Sequence, residues 1–257
     1  MHDDGAEHAD LRRKLGDVLQ QQRELIDRLQ QGQDYFQHLA RSVWRVQEDE
    51  RRRLARDLHD GIGQQLTALK HRLDALASAV DGAGDPANPL HQALDICDSA
   101  IQETRALSRL LRPQILDDLG LEAALNWLAR HSAEGGGYEV EVDVGNLPAI
   151  DGDLSTLIFR VAQEALTNVL KHAHAKHVVI RLAQRHDEWL QFLVVDDGRG
   201  CDVDAAFAKA SDGHSTGLAS MRERVRLFGG RFTVVSRPDE GMQLRVLIPL
   251  LQGDAAP

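Results

Sequence analysis

The sequence predicts a multidomain chain, α in its first half and α/β in its second. Three observations carry that reading. A narrow apolar seam repeats every three to four residues from Leu11, two long amphipathic stretches flank a Gly/Pro-rich break at 81–89, and short alternating strands intersperse with helices after Tyr138. The expected parts are an N-terminal coiled coil, a helical hairpin that dimerises into a four-helix bundle, and an α/β sandwich.

The seam comes first. Positions 11, 15, 18, 22, 25, 29, 32, 36, 39, 43 and 46 follow 4-3 spacing, and only Gln22 and Gly32 interrupt nine Leu, Val and Phe residues. A two-position stripe of that length suits a coiled coil, whereas a helix lying on its own core shows a broader apolar face. Apolar spacing resumes at Leu54, Leu58, Ile62, Leu66, Leu69, Leu73, Leu76 and Val80, and again from Leu90 to Leu111 before Pro113. Two helices joined by a short break form an antiparallel hairpin. One hairpin leaves its apolar face uncovered, and pairing two of them into a bundle covers it, so a homodimer is expected.

Beyond a short helix at 116–131 the period changes. Strands are expected at 138–144, 177–184, 189–197, 231–237 and 242–250, and helices at 154–173 and 217–230, the latter ended by Gly229 and Gly230. A mixed sheet with helices on one face follows. The domain boundaries expected are 1–46 for the coiled coil, 47–118 for the hairpin and 119–251 for the α/β domain, with a tail at 252–257.

Composition limits the function classes. Hydrophobic residues make up 42% and charged residues 27%, with a formal net charge of -10. That acidity argues against a nucleic-acid binder held by phosphate neutralisation. Cys97 and Cys201 are the two cysteines and form no disulfide framework or zinc motif, which favours a reducing compartment. No apolar run reaches the ~20 residues of a membrane helix, and the acidic N-terminus is unlike a signal peptide. A cytoplasmic location is expected, with any upstream sensor supplied by a partner or by a longer receptor.

Several residues carry chemistry. Glu164, Asn168, Lys171 and His172 stand at i, i+4, i+7 and i+8 on one helix and so share a face. An acid, an amide oxygen and a cation on one face suit a polyphosphate with Mg²⁺, a cation that takes hard oxygen ligands and keeps some of its waters. Asp196-Asp197-Gly198-Arg199-Gly200 ends a strand, where a carboxylate can accept from an exocyclic amine and glycines permit close backbone approach. Gly213-His214-Ser215-Thr216-Gly217-Leu218 opens a helix whose N–H groups can face an anion. His172, His174 and His177 lie close together, but no Cys or carboxylate completes a metal set among them.

EALTNVLKHAHA resembles the N box of the histidine kinase/Hsp90-type (Bergerat) ATP-binding fold, VVDDGRGCD its G1 box, and GHSTGLASMRERVRLFGG its G2 box. The resemblance implies ATP and Mg²⁺ as cofactors. It also implies Asn168 on the metal, Glu164 as metal-side acid near a water, and Asp196 on the adenine amine. Lys171, His172, Gly198, Gly200, Gly213, Thr216, Gly217 and Leu218 would surround the nucleotide, with 201–216 as a mobile lid. The G2 stretch departs from the usual Gly-x-Gly-Leu, since Ser215-Thr216 precede Gly217-Leu218.

ERRRLARDLHDGIGQQLTALKHRL (50–73) resembles the phosphoacceptor helix of sensor histidine kinases that partner LuxR/NarL-type response regulators, and 105–125 resembles their second helix and connector. This implies His59 as the phosphorylated residue, Asp60 as the acid that orients the ring and takes its proton, and Gln64 as the residue that directs water at a phospho-aspartate on a receiver domain. Imidazole is a nucleophile near neutral pH. The alternative is an ATP-binding partner-switching protein or degenerate scaffold that never phosphorylates histidine.

Overall fold

A computed structural model describes residues 4–79, 89–111, 114–186, 188–211 and 217–250. Side chains at 4–18, 34, 59, 79, 105, 106, 108–111, 114 and 209–211 are not among those described. The chain divides into two compact units, Met1–Arg45 and Val46–Pro257.

Helix α1 spans Asp4–Arg56. In the first unit the seam positions Leu25, Leu29, Phe36, Leu39 and Val43 are all exposed, Phe36 by 70%. A single chain therefore leaves the stripe open, as a seam made for another helix would be.

In the second unit, α1 passes into a π-helical stretch, Asp57–Gly63, and then into α2, Gln64–Ala79. The sequence predicts unbroken α-helix here. Gly61 and Gly63 are weak helix formers, and a Cβ on Gly63 would lie 3.5 Å from the carbonyl oxygen of Leu58, five residues back. α3 (Pro89–Leu111) returns beside α2. The Lys70 ammonium bonds both Asp98 carboxylate oxygens at 2.5 and 2.7 Å across the hairpin. The Cys97 thiol is buried and lies 3.3 Å from the Leu66 carbonyl, which makes it a core residue. Ile62, Leu69, Leu76, Ile96 and Leu107 remain exposed on the hairpin.

α4 (Gln114–Asp118) and α5 (Gly120–Gly136) lead into the sheet. Its strands are β1 (Glu139–Val144), β2 (His177–Arg185), β3 (Trp189–Asp196), β4 (Arg231–Ser236) and β5 (Met242–Pro249). The order is β1-β2-β3-β5-β4, with β1 and β2 parallel and the other pairs antiparallel. Alternate residues (Val178, Ile180 and Leu182; Leu190, Phe192 and Val194; Leu244, Val246 and Ile248) point into one core with α5, α6 (Gly152–Asn168) and α8 (Gly217–Leu227). The opposite strand positions are more exposed, the period-2 pattern of a sheet covered by helices on one face. α7 (Val203–Ser211) precedes α8, and the Arg222 guanidinium stacks 4.2 Å over the Phe207 ring to join them.

Candidate functional site

The site is built on α6. Asp151 caps its start, its carboxylate accepting from the N–H groups of Asp153 at 2.6 Å and Leu154 at 2.9 Å. One face of the helix (Leu157, Ile158, Val161, Ala162, Leu166) is buried. The adjoining face carries Glu164 and Asn168 toward a cavity of about 530 Å³, within the range of small-molecule sites. The last turn, Val169–Ala173, is π-helical and ends at His174 with φ 52°. Lys171 and His172 still line the cavity, although the wider turn replaces the plain i+7/i+8 spacing expected from the sequence.

The β3 end faces them. Asp196 is 8% exposed, and its carboxylate accepts from the Gly198 N–H at 2.9 Å. Burial raises its pKa above the usual carboxylate value. Asp197 has a different environment. It accepts from the N–H groups of Lys176 (2.7 Å) and His177 (2.9 Å) and pairs with His177 Nδ1 at 2.8 Å. The backbone bond from His177, followed by the His177 side chain, lowers its pKa to about 2. Asp197 thus ties β3 to the start of β2, and His177 serves that tie.

The glycines of this turn allow close approach. A Cβ on Gly198 would lie 2.5 Å from the Ala173 carbonyl oxygen, and Arg199 N–H donates to that same oxygen at 2.8 Å. Gly198 packs against the end of the N-box helix and is not among the residues lining the cavity. Gly200 does line it, at φ +60°, and a Cβ there would collide with the Arg237 carbonyl. Gly217 and Leu218 close another wall, while Gly213 and Thr216 lie outside the described residues.

Of the expected nucleotide residues, the cavity brings together Glu164, Asn168, Lys171, His172, Asp196, Gly200, Gly217 and Leu218. Sequence reasoning missed its apolar floor: Val194, Met242 and Leu244. Register supplies that floor, since Met242 pairs with Asp196 and Leu244 with Val194 across β3 and β5. Alternation back from Asp196 was the available signal for Val194. Two oxygens suited to a hard cation, the Asn168 amide and the Glu164 carboxylate, lie on the same cavity, so the donor set fits Mg²⁺. The buried Asp196 acceptor and its apolar neighbours fit a purine with an exocyclic amine.

The residues expected to serve as acceptor lie in the same compact unit. The backbone of His59 falls within the π-helical stretch, its side chain is not among those described, and Asp60 and Gln64 are exposed. Gln64 begins α2, so the wider π turn separates it from Asp60 where an α turn was expected. A second cleft of about 460 Å³ is lined by Leu58 and Arg51 of the acceptor-bearing segment and by Glu164 and Thr167 of α6. Glu164 and Thr167 also line the first cavity, so one wall serves both.

Comparison with known families adds to this geometry. Residues 50–116 match the family model described as histidine kinase, and residues 153–252 match that of histidine kinase-, DNA gyrase B- and HSP90-like ATPases. The chain belongs to the histidine kinases. It is 36% identical over 82% of its length to the sensor histidine kinase MctS of Rhizobium johnstonii, of which it covers 45%. It is 34% identical to the sensor histidine kinase LiaS of Bacillus subtilis over 82% of this chain and 58% of that protein. To the sensor protein VraS of Staphylococcus saprophyticus it is 35% identical, over 83% of this chain and 59% of that protein. The chain thus spans roughly half the length of these curated relatives. The solved histidine kinase domain of the Erythrobacter litoralis EL346 blue-light activated kinase aligns with 79% of this chain and 94% of its own, at 22% identity and a TM-score of 0.47. Domains of the ATPase type found here bind ATP. Among the described residues, no helix is long and apolar enough to cross a membrane.

Proposed function

We propose that this chain is the transmitter part of a two-component sensor histidine kinase. It uses ATP to phosphorylate its own His59 and passes the phosphoryl group to an aspartate on a receiver domain of a LuxR/NarL-type response regulator. One observation carries the reading: the cavity holding Glu164, Asn168 and Asp196 shares a wall with the cleft that reaches Leu58, the residue before His59. That shared wall, within one compact unit, supports a nucleotide site set beside the acceptor turn.

In this reading Asp196 accepts from the adenine amine and the Val194, Met242 and Leu244 side chains enclose the base. Lys171 offsets phosphate charge. Asn168 and Glu164 hold Mg²⁺, which when bound offsets charge on the phosphates. The free ring nitrogen of His59 attacks the γ-phosphorus, the bond to the bridging oxygen breaks, ADP leaves, and Asp60 takes the ring proton. Gln64 directs water at the phospho-aspartate of the partner and so removes the signal. The chain acts as a homodimer. The open seam of α1 and the exposed Ile62, Leu69, Leu76, Ile96 and Leu107 pair with a second copy. The parts divide as coiled coil 1–46, acceptor hairpin 47–118 and ATP-binding domain 119–251; the expected tail 252–257 and residues 212–216 of the expected lid 201–216 lie outside the described residues.

Labelled ATP tests the proposal. Wild-type protein gains acid-labile phosphate, and His59→Gln gains none. Gln64→Ala labels normally but no longer dephosphorylates the regulator. Labelling of His59→Gln would overturn the acceptor assignment.

A further inference from the structure

The acceptor-bearing helix and the N-box helix are joined by an ion pair 112 residues apart in sequence. Arg160 donates from Nε (2.9 Å) and from a terminal guanidinium nitrogen (2.7 Å) to one carboxylate oxygen of Glu48. Both side chains are only 4% exposed. The other Glu48 oxygen accepts from Arg51 at 2.9 Å, and the remaining Arg160 nitrogen donates to Gln163 at 2.9 Å. One turn beyond Glu48, Arg52 pairs with Asp117 of α4 at 2.8 Å.

Position gives the pair its meaning. Glu48 stands three α-helical turns before His59, and Arg160 stands one turn before Glu164 and two before Asn168. Further along the same two segments, Leu58 lines one cleft with Glu164 and Thr167, and Arg160 lines that cleft as well. The 48–160 contact is therefore the upstream end of a juxtaposition whose downstream end holds the residue next to the acceptor and the acid of the nucleotide cavity. Burying two charges is a poor route to stability, because desolvation offsets most of the attraction. Its gain is directional: two nitrogens of a planar guanidinium converge on one Glu48 oxygen while Arg51 holds the other, and such a set of donors accepts one register and rejects others.

We infer that Glu48 and Arg160 are positioning residues for autophosphorylation, fixing the N-box helix on the acceptor-bearing helix so that the nucleotide site faces His59. This rests on the kinase reading above. It predicts a loss in the rate of His59 labelling without loss of nucleotide binding, since neither residue lines the nucleotide cavity.

The test is a double-mutant cycle on the full chain: Glu48→Gln, Arg160→Gln and the double variant, with Arg160→Lys as a second probe that keeps a cation. The readouts are kcat and KM for ATP in labelling, the Kd of a fluorescent ATP analogue, and phosphotransfer from pre-labelled protein to a receiver domain. Each single Gln variant is expected to lower kcat by roughly tenfold to a hundredfold, the scale of a small misplacement of reacting groups. Nucleotide Kd stays at the wild-type value, the double variant is no slower than either single one, and Arg160→Lys recovers part of the rate. Unchanged or faster labelling overturns the inference, as do effects that multiply in the double variant. Parallel loss of nucleotide binding in all variants, Arg160→Lys included, means a structural role and also overturns it. Should wild-type protein not label, the kinase reading fails separately. The pair is then judged by the distance between spin labels on α2 and β4: widening in Glu48→Gln supports it, and an unchanged distance overturns it.

Discussion

Gly217→Ala separates folding from chemistry at the nucleotide cavity. A Cβ on Gly217 would overlap Glu164 Oε1 and lie 2.8 Å from its Cδ and 3.2 Å from its Cγ. All three atoms belong to the far end of one side chain, so the carboxylate can swing aside while both backbones stay. Forcing that side chain off its rotamer costs about 0.5–1.5 kcal/mol. Gly217 opens α8, so the gain that alanine brings in a helix interior does not offset this cost, and net stability falls by about that same 0.5–1.5 kcal/mol. In the proposed reaction Glu164 acts from a fixed position, and a displaced acid forfeits part of the ~10²–10⁴-fold that a positioned proton-transfer or water-holding group supplies. Purified Gly217→Ala should melt within a few degrees of wild type and label His59 about 10²-fold more slowly. Gly200→Ala is the control, with its Cβ against the Arg237 carbonyl and 2.8 Å from the Gly241 oxygen, at φ +60°. There the obstacle is backbone, and the left-handed conformation alone costs about 1–2 kcal/mol, so melting itself should fall. Normal labelling by Gly217→Ala, or a melting loss as large as that of Gly200→Ala, would refute the reasoning.

Asp197 gives a pH-dependent effect. Its folded-state pKa lies at about 2, below the ordinary 3.8, so its contribution is fully present above pH 3.8 and disappears as pH falls through about 2. The urea midpoint of Asp197→Asn should lie below that of wild type at pH 5, and the gap should close between pH 3.8 and 2; a gap constant over that window excludes the link. Phe192 is completely buried among β2, β5 and the helices, so Phe192→Ala should cost about 3–5 kcal/mol in denaturant unfolding. A loss under about 1 kcal/mol would mean that the cavity collapses or that the sheet face is not the core.

Much of the fold was legible because its signals are local. The alternation in His177–Arg185 and Trp189–Asp196 places Ile180 and Phe192 in the core, and the turn at Gly229 (φ 69°) follows α8, which stops at Leu227, short of the expected 230. Candidate cavity residues clustered in short motifs and therefore could be found together. What escaped depends on longer-range geometry. Met242 and Leu244 reach the cavity through the register of β5 on β3, which alternation alone leaves open. The π-helical stretches at Asp57–Gly63 and Val169–Ala173 escaped because an apolar repeat reports a face and is blind to a widened turn. Both coincide with residues singled out for chemistry, His59 and Asp60 in one, Lys171 and His172 in the other, where such distortions often occur.

Glu48 and Arg160 were hidden for a different reason. On a sequence, Glu48 is one acid among the charged residues before the acceptor, and Arg160 is a cation amid the apolar run LSTLIFRVAQ. An arginine at such a position asks for a partner, since an uncompensated buried charge costs several kcal/mol. Nothing within one turn of α6 is acidic on the N-terminal side, and Glu164 faces the nucleotide cavity. The partner must therefore come from elsewhere in the chain, and the structure supplies it from α1, the helix that leads into the proposed acceptor turn. An apolar contact there would hold the two helices together with little regard to their register. A buried carboxylate and a guanidinium hold them in one arrangement or lose several kcal/mol, and phosphoryl transfer needs that kind of selectivity.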